Sequence, residues 1–256
     1  MSIIERRDRH MVKHRETDLA GEAYVGGPLT GSCPAQNATL GPFTVVWNGA
    51  ENAQLKVTHR SQPKKQVWAS QPGISFMSAA LGAADVTESR GFFQIREQAK
   101  KVAREQVLSR FEQDEAAVTL SGTFADRDDS SWTLTFSVLD DQQLHLSARA
   151  RFKEGPCNRI CIASTSDPDE EFFGFGSQYT YLRMKGRRVP VLSQEPGIGR
   201  GIQPLTWLLE TFFKAGGQWW NSNAPSPMCL STALRGVCLE NTEYAVFDFR
   251  GEDTLR

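Results

Sequence analysis

Phe172-Phe173-Gly174-Phe175-Gly176-Ser177-Gln178-Tyr179 opens the stretch that decides the fold, and Phe247-Asp248-Phe249 closes it. Between these two motifs, paired aromatic residues and glycines recur while charged residues stay few. A solvated linker does not have this composition. It is typical of loops that lie against a packed sheet and face a ligand or a second domain.

The chain before this stretch alternates apolar and polar residues with the period of a β-strand. Turn residues separate the alternating segments about every 8–12 residues, as in a meandering antiparallel sheet. Strands with one apolar face need a second layer to cover it, so the pattern predicts an all-β sandwich. A polar turn is expected at 126–131. The predicted strands are Phe43–Trp47, Leu55–His59, Gln66–Ala69, one starting at Ile74, Val118–Phe124, Trp132–Val138, Leu144–Phe152 and, last in the chain, Tyr244–Phe249.

The segment from Arg90 to Glu115 carries conflicting signals. Its middle is rich in Glu, Gln, Ala, Lys and Arg, whose intrinsic propensity favours a helix. We nevertheless predict two long strands with solvated faces, because the flanks alternate with period two. The alternating residues are Phe93 and Ile95, and then Val107, Ser109 and Phe111.

Composition excludes several functional classes. The chain has 256 residues and a formal net charge of −1, which provides no electrostatic footprint for nucleic acid or an anionic membrane. No apolar run is long enough to span a bilayer, and Met1–His10 lack the apolar core of a secretory signal. We therefore expect a cytoplasmic protein without nucleic-acid or membrane partners. Residues 1–25 are predicted to be a poorly ordered tail or a short helix, and residues 26–256 a single β-sandwich domain.

The cysteines and histidines do not form a metal motif. Five cysteines, an odd number without a secretory signal, favour free thiols. Cys157 and Cys161 could form half of a metal site, but all four histidines lie far from them in the sequence. Structural zinc needs about four ligands in close pairs. No metal or other cofactor is therefore predicted, and the cysteines are interpreted as small buried apolar residues.

The sequence supports neither a nucleotide-phosphate loop nor a hydrolase triad. Gly197-Ile198-Gly199-Arg200-Gly201 matches neither the dinucleotide fingerprint nor the triphosphate loop, and Pro204 is expected to prevent a helix from following it. A hydrolase triad lacks a Gly-x-Ser-x-Gly elbow and any histidine after His145. The aromatic, polar-lined loops instead suit sugars, whose ring faces stack on tryptophan while their hydroxyls bond to charged side chains. Trp207, Trp219 and Trp220 could stack in this way, although a place in the core or a domain interface is the commoner role.

Four motifs, taken in order, resemble the amino-terminal domain of glycoside hydrolase family 31. They are Phe172–Gln178, Lys185-Gly186-Arg187-Arg188, Ser193–Arg200 and Pro227-Met228-Cys229-Leu230-Ser231-Thr232. Within that family the chain is most similar to the sulfoquinovosidases, which hydrolyse α-glycosides of the sulfonated sugar sulfoquinovose. The resemblance covers about residues 40 to 250. It implies an antiparallel, galactose-mutarotase-like β-sandwich (a supersandwich) with few short helices, normally followed by a (β/α)8 barrel.

The resemblance also implies where the chemistry resides. Family enzymes carry their catalytic aspartates on the barrel, and this chain ends where the barrel would begin. We therefore expect no catalytic residue here and no activity of the chain alone. What carries over is the loop around Glu195, which in the family leans over the barrel mouth and helps to shape the sugar subsite. Ordinary α-glucosidases have Asn-x-Asp near this position, whereas Gln194-Glu195-Pro196-Gly197 resembles the sulfoquinovosidase branch.

Four residues are predicted on this basis to contact the substrate: Glu195, Gln194, Arg200 and Trp220. Glu195 would accept a hydrogen bond from a sugar hydroxyl, with Arg200 as its neighbour or as a domain contact. The alternative is that Glu195 and Arg200 only pair with each other and shape the loop. Ser177 departs from the family pattern, which often has Glu after its second glycine, and this weakens a local polar contact.

Three functions stay open on the sequence. The first is the amino-terminal region of a family 31 α-glycosidase, which predicts an exposed apolar surface where the barrel packs. The second is a stand-alone carbohydrate-binding module, which predicts sugar binding that is lost on Glu195→Ala or Trp220→Ala. The third is a mutarotase-like enzyme, which needs a histidine and a carboxylate in one cleft, and His145 alone is a poor candidate.

Overall fold

The computed structural model describes residues 24, 26–178, 180–199, 204–213 and 215–256. The predicted tail of residues 1–25 lies outside this part of the chain except for Tyr24. The described residues divide into two compact units. The first, called the sandwich unit, comprises those within 20–83 and 99–165, and the second, the loop unit, comprises those within 84–98 and 166–255.

Strands make up nearly all the regular structure of the described residues, which confirms the predicted all-β class. Of the described helices, none is long and apolar enough to cross a membrane. One α-helix is described, α1 (Pro204–Phe213). The strands are β1 (Leu29–Gly31), β2 (Gln36–Leu40), β3 (Phe43–Trp47), β4 (Leu55–His59), β5 (Gln62–Ala69), β6 (Met77–Ser89), β7 (Phe92–Ala103), β8 (Gln106–Gln113), β9 (Ala117–Phe124), β10 (Arg127–Val138), β11 (Leu144–Phe152), β12 (Gly155–Pro156), β13 (Arg159–Ile162), β14 (Ser164–Thr165), β15 (Phe172–Gly176), β16 (Arg188–Val191), β17 (Pro225–Ser231), β18 (Gly236–Cys238), β19 (Ala245–Asp248) and β20 (Thr254–Leu255).

Two sheets share the core of the sandwich unit. One is antiparallel with the order β2-β3-β4-β5, and the other has the order β1-β8-β9-β10-β11-β12, antiparallel except between β1 and β8. A third sheet has the order β13-β6-β7. Alternate residues of β3 and β4, among them Val45, Trp47 and Leu55, join Leu120 and Leu134 of the second sheet in one hydrophobic cluster. This packing confirms the predicted sandwich.

The segment from Arg90 to Glu115 contains two strands, as predicted against its helix propensity. It begins at the turn between β6 and β7 and continues through β7 and β8. Ala103 at the end of β7 and Leu108 in β8 are fully buried. Tertiary burial of these apolar residues therefore outweighs the intrinsic preference of the charged residues for a helix.

Three details of the predicted strands are wrong. In β8 the period-two face of Val107, Ser109 and Phe111 does not form, because a β-bulge between Leu108 and Arg110 shifts the register and buries Leu108 with Phe111. The polar segment 126–131 is a turn only at 125–126, and β10 begins immediately after it. The predicted last strand is β19, and β20 follows it.

The expectation that Pro204 prevents a helix is also wrong, since α1 begins at that residue. The first four N–H groups of a helix have no intrahelical acceptor, so proline loses no hydrogen bond there. Its fixed φ also suits the first turn. The helix-breaking effect of proline applies to helix interiors, and the prediction applied it at the wrong position.

A β-bulge at the opening aromatic motif builds the core of the loop unit. β15 pairs with β17, and the register shifts between Gly174 and Gly176. At the bulge, Phe175 has a φ of +70°. Strict alternation would turn Phe172 and Phe175 to opposite faces, but the bulge allows both rings to be buried. Glycines are needed on either side, because a Cβ on Gly174 or Gly176 would lie 2.5 or 2.3 Å from a backbone oxygen of the paired segment.

The closing aromatic motif completes this core. The ring of Phe172 lies 4.5 Å from that of Phe249, and the ring of Phe175 lies 4.9 Å from that of Phe247. β16 pairs antiparallel with β19, the strand that carries Phe247. The two ends of the stretch from Phe172 to Phe249 are therefore joined by direct ring contacts. The loop around Glu195 lies between them in the sequence.

The acidic loop before this core contains a buried ion pair. Glu170 is only 3% exposed, and its two carboxylate oxygens accept hydrogen bonds from Arg235 Nε at 2.8 Å and Nη2 at 2.7 Å. Burial opposes ionisation of Glu170, but hydrogen bonds from Arg235 and Ser231 and the charge of Arg235 hold its pKa below the ordinary value. The pair ties the loop preceding β15 to the turn between β17 and β18.

We expect Glu170→Gln to lower the free energy of unfolding at pH 7 by about 3 kcal/mol, because it removes the negative charge that pairs with Arg235 at a site largely shielded from water. Since the folded-state pKa is depressed, the stabilisation is present above the ordinary glutamate pKa of about 4.3 and is lost as the pH falls through the folded-state value. The difference from wild type should therefore shrink below about pH 4 in urea denaturation. Glu154→Gln, at an exposed pair with Lys101, is the control and should change little. Equal midpoints for wild type and Glu170→Gln at pH 7 would contradict this assignment.

Candidate functional site

The candidate site lies in the loop unit, on the extended segment 193–199. Ser193 forms a parallel bridge with Ser222, and the backbone N–H of Gln194 donates to the Ser222 carbonyl at 2.9 Å. Farther along, Ile198 bridges Gly216 in the same parallel sense. The predicted loop is therefore held along its length by the segment that carries the two adjacent tryptophans.

Gln194 lies inside the protein and holds the loop. Its side chain is 8% exposed, its Oε1 accepts from the Phe93 N–H at 3.3 Å, and its Nε2 donates to Asn221 Oδ1 at 3.1 Å. Both ends of the amide are thus engaged by the protein itself. Gln194 therefore bonds the loop to β7 and to Asn221, a partner that sequence reasoning missed because no local pattern marks it. Its predicted contact with the substrate stays a prediction.

Glu195 is placed differently from its neighbour. Its side chain is exposed, while its backbone N–H donates to the Gly91 carbonyl at 3.0 Å. Within the described part of the chain, its carboxylate has no hydrogen bond and no ion pair. An anchored backbone with an open carboxylate suits an acceptor for a ligand hydroxyl. Arg200 lies outside the described residues, so its predicted pairing with Glu195 stays a prediction.

Trp220 belongs to an aromatic cluster that adjoins the loop. Its ring meets that of Trp219 edge to face at 5.5 Å, and Trp219 meets Tyr181 at 5.3 Å. The Arg187 guanidinium lies 3.3 Å from the centroid of the Tyr181 ring. Trp219 and Tyr181 pack against the phenylalanine core, whereas Trp220 lies at the outer end of the cluster and is half-buried. Trp220 directly precedes Asn221, the partner of Gln194.

Trp207 lies on an exposed apolar surface. Helix α1 has the sequence Pro-Leu-Thr-Trp-Leu-Leu-Glu-Thr-Phe-Phe, and only Thr206 is buried. Trp207 is 65% exposed and Phe212 is 68% exposed. A helix that is apolar on most of its surface is normally buried in a soluble domain. We define the α1 surface as Leu205, Trp207, Leu208, Phe212 and Phe213.

Two other ionisable groups of the loop unit, Asp248 and Cys229, have shifted pKa values with structural causes. Asp248 is bonded to Arg250 at 2.8 and 2.9 Å and lies 3.5 Å from Arg188. Burial opposes ionisation of Asp248, but the hydrogen bonds and charge of Arg250, with the charge of Arg188, lower its pKa. Burial raises the pKa of the Cys229 thiol to about 11. Among the described residues, no group of three or more His, Cys, Asp or Glu side chains could hold a metal ion.

Comparisons with known proteins show what this chain is similar to. No family model matches the chain. The sulfoquinovosidase of Agrobacterium fabrum is 35% identical over 117 residues, which cover 45% of this chain and 17% of that protein. The sulfoquinovosidase of Escherichia coli is 28% identical over 170 residues, which cover 66% of this chain and 24% of that protein. A solved family 31 sulfoquinovosidase from E. rectale, in complex with an aza-sugar inhibitor, has a TM-score of 0.62 at 24% identity, covering 86% of this chain and 30% of that one.

The chain is similar to the amino-terminal region of family 31 sulfoquinovosidases. This confirms the family resemblance of the aromatic and glycine motifs, and the E. rectale structure supports the sandwich fold. The matched residues span only about a sixth to a quarter of the length of these curated sulfoquinovosidases.

We expect Gln194→Ala to destabilise this sulfoquinovosidase-like region by about 1–3 kcal/mol, because it removes the acceptor of the buried Phe93 N–H bond and the donor to Asn221 Oδ1. The free energy of unfolding is measured by urea denaturation, and amide hydrogen exchange should accelerate at Phe93 and Glu195. Ser193→Ala, which removes a hydrogen bond from an exposed hydroxyl to the Asn223 carbonyl, is the matched control and should have a smaller effect. Equal losses in the two variants would argue against a specific positioning role for Gln194.

Proposed function

We propose that this region is the amino-terminal domain of a sulfoquinovosidase-like α-glycosidase, in which the segment 193–199 contributes to the sugar subsite. The observation that carries the proposal is the Glu195 carboxylate, which is exposed and unpaired among the described residues while its backbone is hydrogen bonded to Gly91. The sulfoquinovosidase names of the relatives support a sulfonated sugar as the substrate.

The chemistry of this surface fits a sugar. A carboxylate accepts hydrogen bonds from hydroxyl groups, and these charge-assisted bonds are stronger than neutral ones. The half-buried ring of Trp220 can cover an apolar sugar face, while Trp219 supports it from the core side. Gln194 keeps the segment in place without contacting the ligand. We propose Glu195 as the hydroxyl acceptor and Trp220 as the stacking residue.

We expect a methyl sulfoquinovoside, added to residues 1–256 and followed by NMR, to shift the Trp220 indole and Glu195 amide signals with saturation. Glu195→Ala and Trp220→Ala should each weaken this binding at least about tenfold, which corresponds to the loss of about 1.4 kcal/mol. Glu112→Ala and Leu139→Ala, at exposed residues that belong to the sandwich unit, are the matched controls and should bind as wild type does. Saturable binding that survives both site substitutions would reject the proposed subsite.

Hydrolysis is the second measurement on the same samples. Because we place the catalytic groups on the barrel of the full-length enzyme, residues 1–256 should not release the chromophore from a chromogenic sulfoquinovoside. Turnover that tracks the purified chain would contradict this part of the proposal.

We further propose that the α1 surface packs on the catalytic barrel of the full-length enzyme. The relatives are several times longer than this chain, which leaves room for such a partner domain. α1 carries a single charged residue, Glu210, and Glu210 accepts a hydrogen bond from the Gly216 N–H at 3.3 Å. An apolar, nearly uncharged surface of this kind favours a permanent domain contact over exposure to water.

We expect Trp207→Lys to reduce the binding of a hydrophobic fluorescent dye to residues 1–256, while the free energy of unfolding changes by less than about 0.5 kcal/mol. In a chain that includes the barrel, the same substitution should lower the thermal midpoint, because it would bury a charge in the contact. Leu139→Lys, at a residue of the sandwich unit that is 58% exposed, is the control and should alter neither measurement. If Trp207→Lys and Leu139→Lys have the same effects on dye binding and on the thermal midpoint, the α1 surface is not part of the domain contact.

A further inference from the structure

The turn between β6 and β7 lies at the candidate site. It consists of Arg90 and Gly91, whose φ angles are +55° and +79°. Two successive residues with positive φ form a tight hairpin turn whose twist matches that of the strands. Positive φ is uncommon for a residue with a long side chain, so Arg90 holds an unfavourable backbone conformation at this position.

Gly91 contacts Glu195 through its backbone. Its carbonyl accepts the Glu195 N–H at 3.0 Å. A Cβ added to Gly91 would lie 2.7 Å from Glu195 Cγ, which is closer than such atoms approach in proteins. The absence of a side chain at Gly91 therefore leaves room for the Glu195 side chain in its observed rotamer. The next strand supports the same loop, because the Phe93 N–H donates to Gln194 Oε1.

Arg90 connects the same turn to helix α1. Its Nη1 donates to the carbonyl oxygen of Phe213 at 3.1 Å, at the carboxyl end of the helix. A cation at this end satisfies a carbonyl that has no intrahelical partner and interacts favourably with the helix dipole. The Gly91 N–H donates to Glu88 Oε1 at 2.7 Å, which closes the turn from within the hairpin.

We propose that the Arg90–Gly91 turn is a positioning element that sets the direction of the Glu195 carboxylate and links it to the α1 surface. The inference rests on the proposed function in one respect, that Glu195 contacts a sugar. Gly91 admits the Glu195 side chain in its observed rotamer, and Arg90 fastens the turn to the helix. Neither residue touches the ligand, and both act through Glu195.

The test compares Gly91→Ala with Gly73→Ala in residues 1–256. Gly73 has a φ of +69°, close to that of Gly91, but nothing lies within 4 Å of an added Cβ. Both variants therefore carry similar backbone strain, and only Gly91→Ala meets Glu195. We expect Gly91→Ala to weaken methyl sulfoquinovoside binding about tenfold more than Gly73→Ala, by NMR titration. Equal affinities for the two variants would overturn the positioning role.

A second measurement does not depend on the sugar. Glu195→Ala removes the Cγ that an alanine at position 91 would meet, so the stability loss caused by Gly91→Ala should be smaller in the Glu195→Ala background. Strict additivity in that double-mutant cycle would also overturn the positioning role. If the two substitutions are non-additive but neither wild type nor any variant binds the sugar, the contact between residues 91 and 195 stands and the proposed function is rejected. Failure of the positioning role can therefore be told apart from failure of the proposed function.

Substitutions of Arg90 test the link between the turn and α1. Arg90→Ala should accelerate hydrogen exchange at the carboxyl end of α1 and at the Glu195 amide together. Arg90→Lys should restore slow exchange at both places, because it keeps a donor and a cation near the Phe213 carbonyl. Exchange that accelerates only in α1 would contradict the proposed link.

Discussion

Two pairs of phenylalanine rings hold the loop unit together, and the candidate site depends on them. Phe172 packs on Phe249, and Phe175 packs on Phe247, so strand β15 is joined to the end of the unit. Both rings of β15 reach this core only because a glycine-flanked bulge changes the alternation of the strand. The chain between β15 and β19 is therefore anchored at both ends in the same packed core. Loops anchored in this way can carry exposed polar groups.

The neighbouring residues Gln194 and Glu195 face opposite ways: one is hydrogen bonded inside the protein, and the other is exposed to a possible ligand. Successive side chains of an extended segment point to opposite sides, so one of the two is buried when the segment lies on a packed surface. Here the amide is inside, bonded to Phe93 and Asn221, and the carboxylate is outside. The entropy of fixing the segment is lost on folding, so a ligand would meet an acceptor that is already in place.

Helix α1 and the hairpin turn extend this arrangement beyond the loop. The helix exposes large apolar side chains on most of its surface, and Arg90 bonds to its carboxyl end while the adjacent Gly91 contacts Glu195. A domain that packs on α1 would therefore be connected to the proposed sugar contact at Glu195 through the Arg90–Gly91 turn. In this view the apolar helix and the exposed carboxylate form two parts of one functional surface.

The sequence by itself determined the all-β class, the strands Phe43–Trp47 and Leu144–Phe152, and the family to which the motifs are similar, because alternation and short motifs are local properties. It also pointed to the loop around Glu195, through resemblance. Only the tertiary structure decided that the Glu170 charge is buried against Arg235, that Gln194 faces inward, and that Gly91 lies against Glu195. The physical reason is that bulges, strand partners and buried ion pairs are set by contacts between residues far apart in the chain, which no local periodicity records.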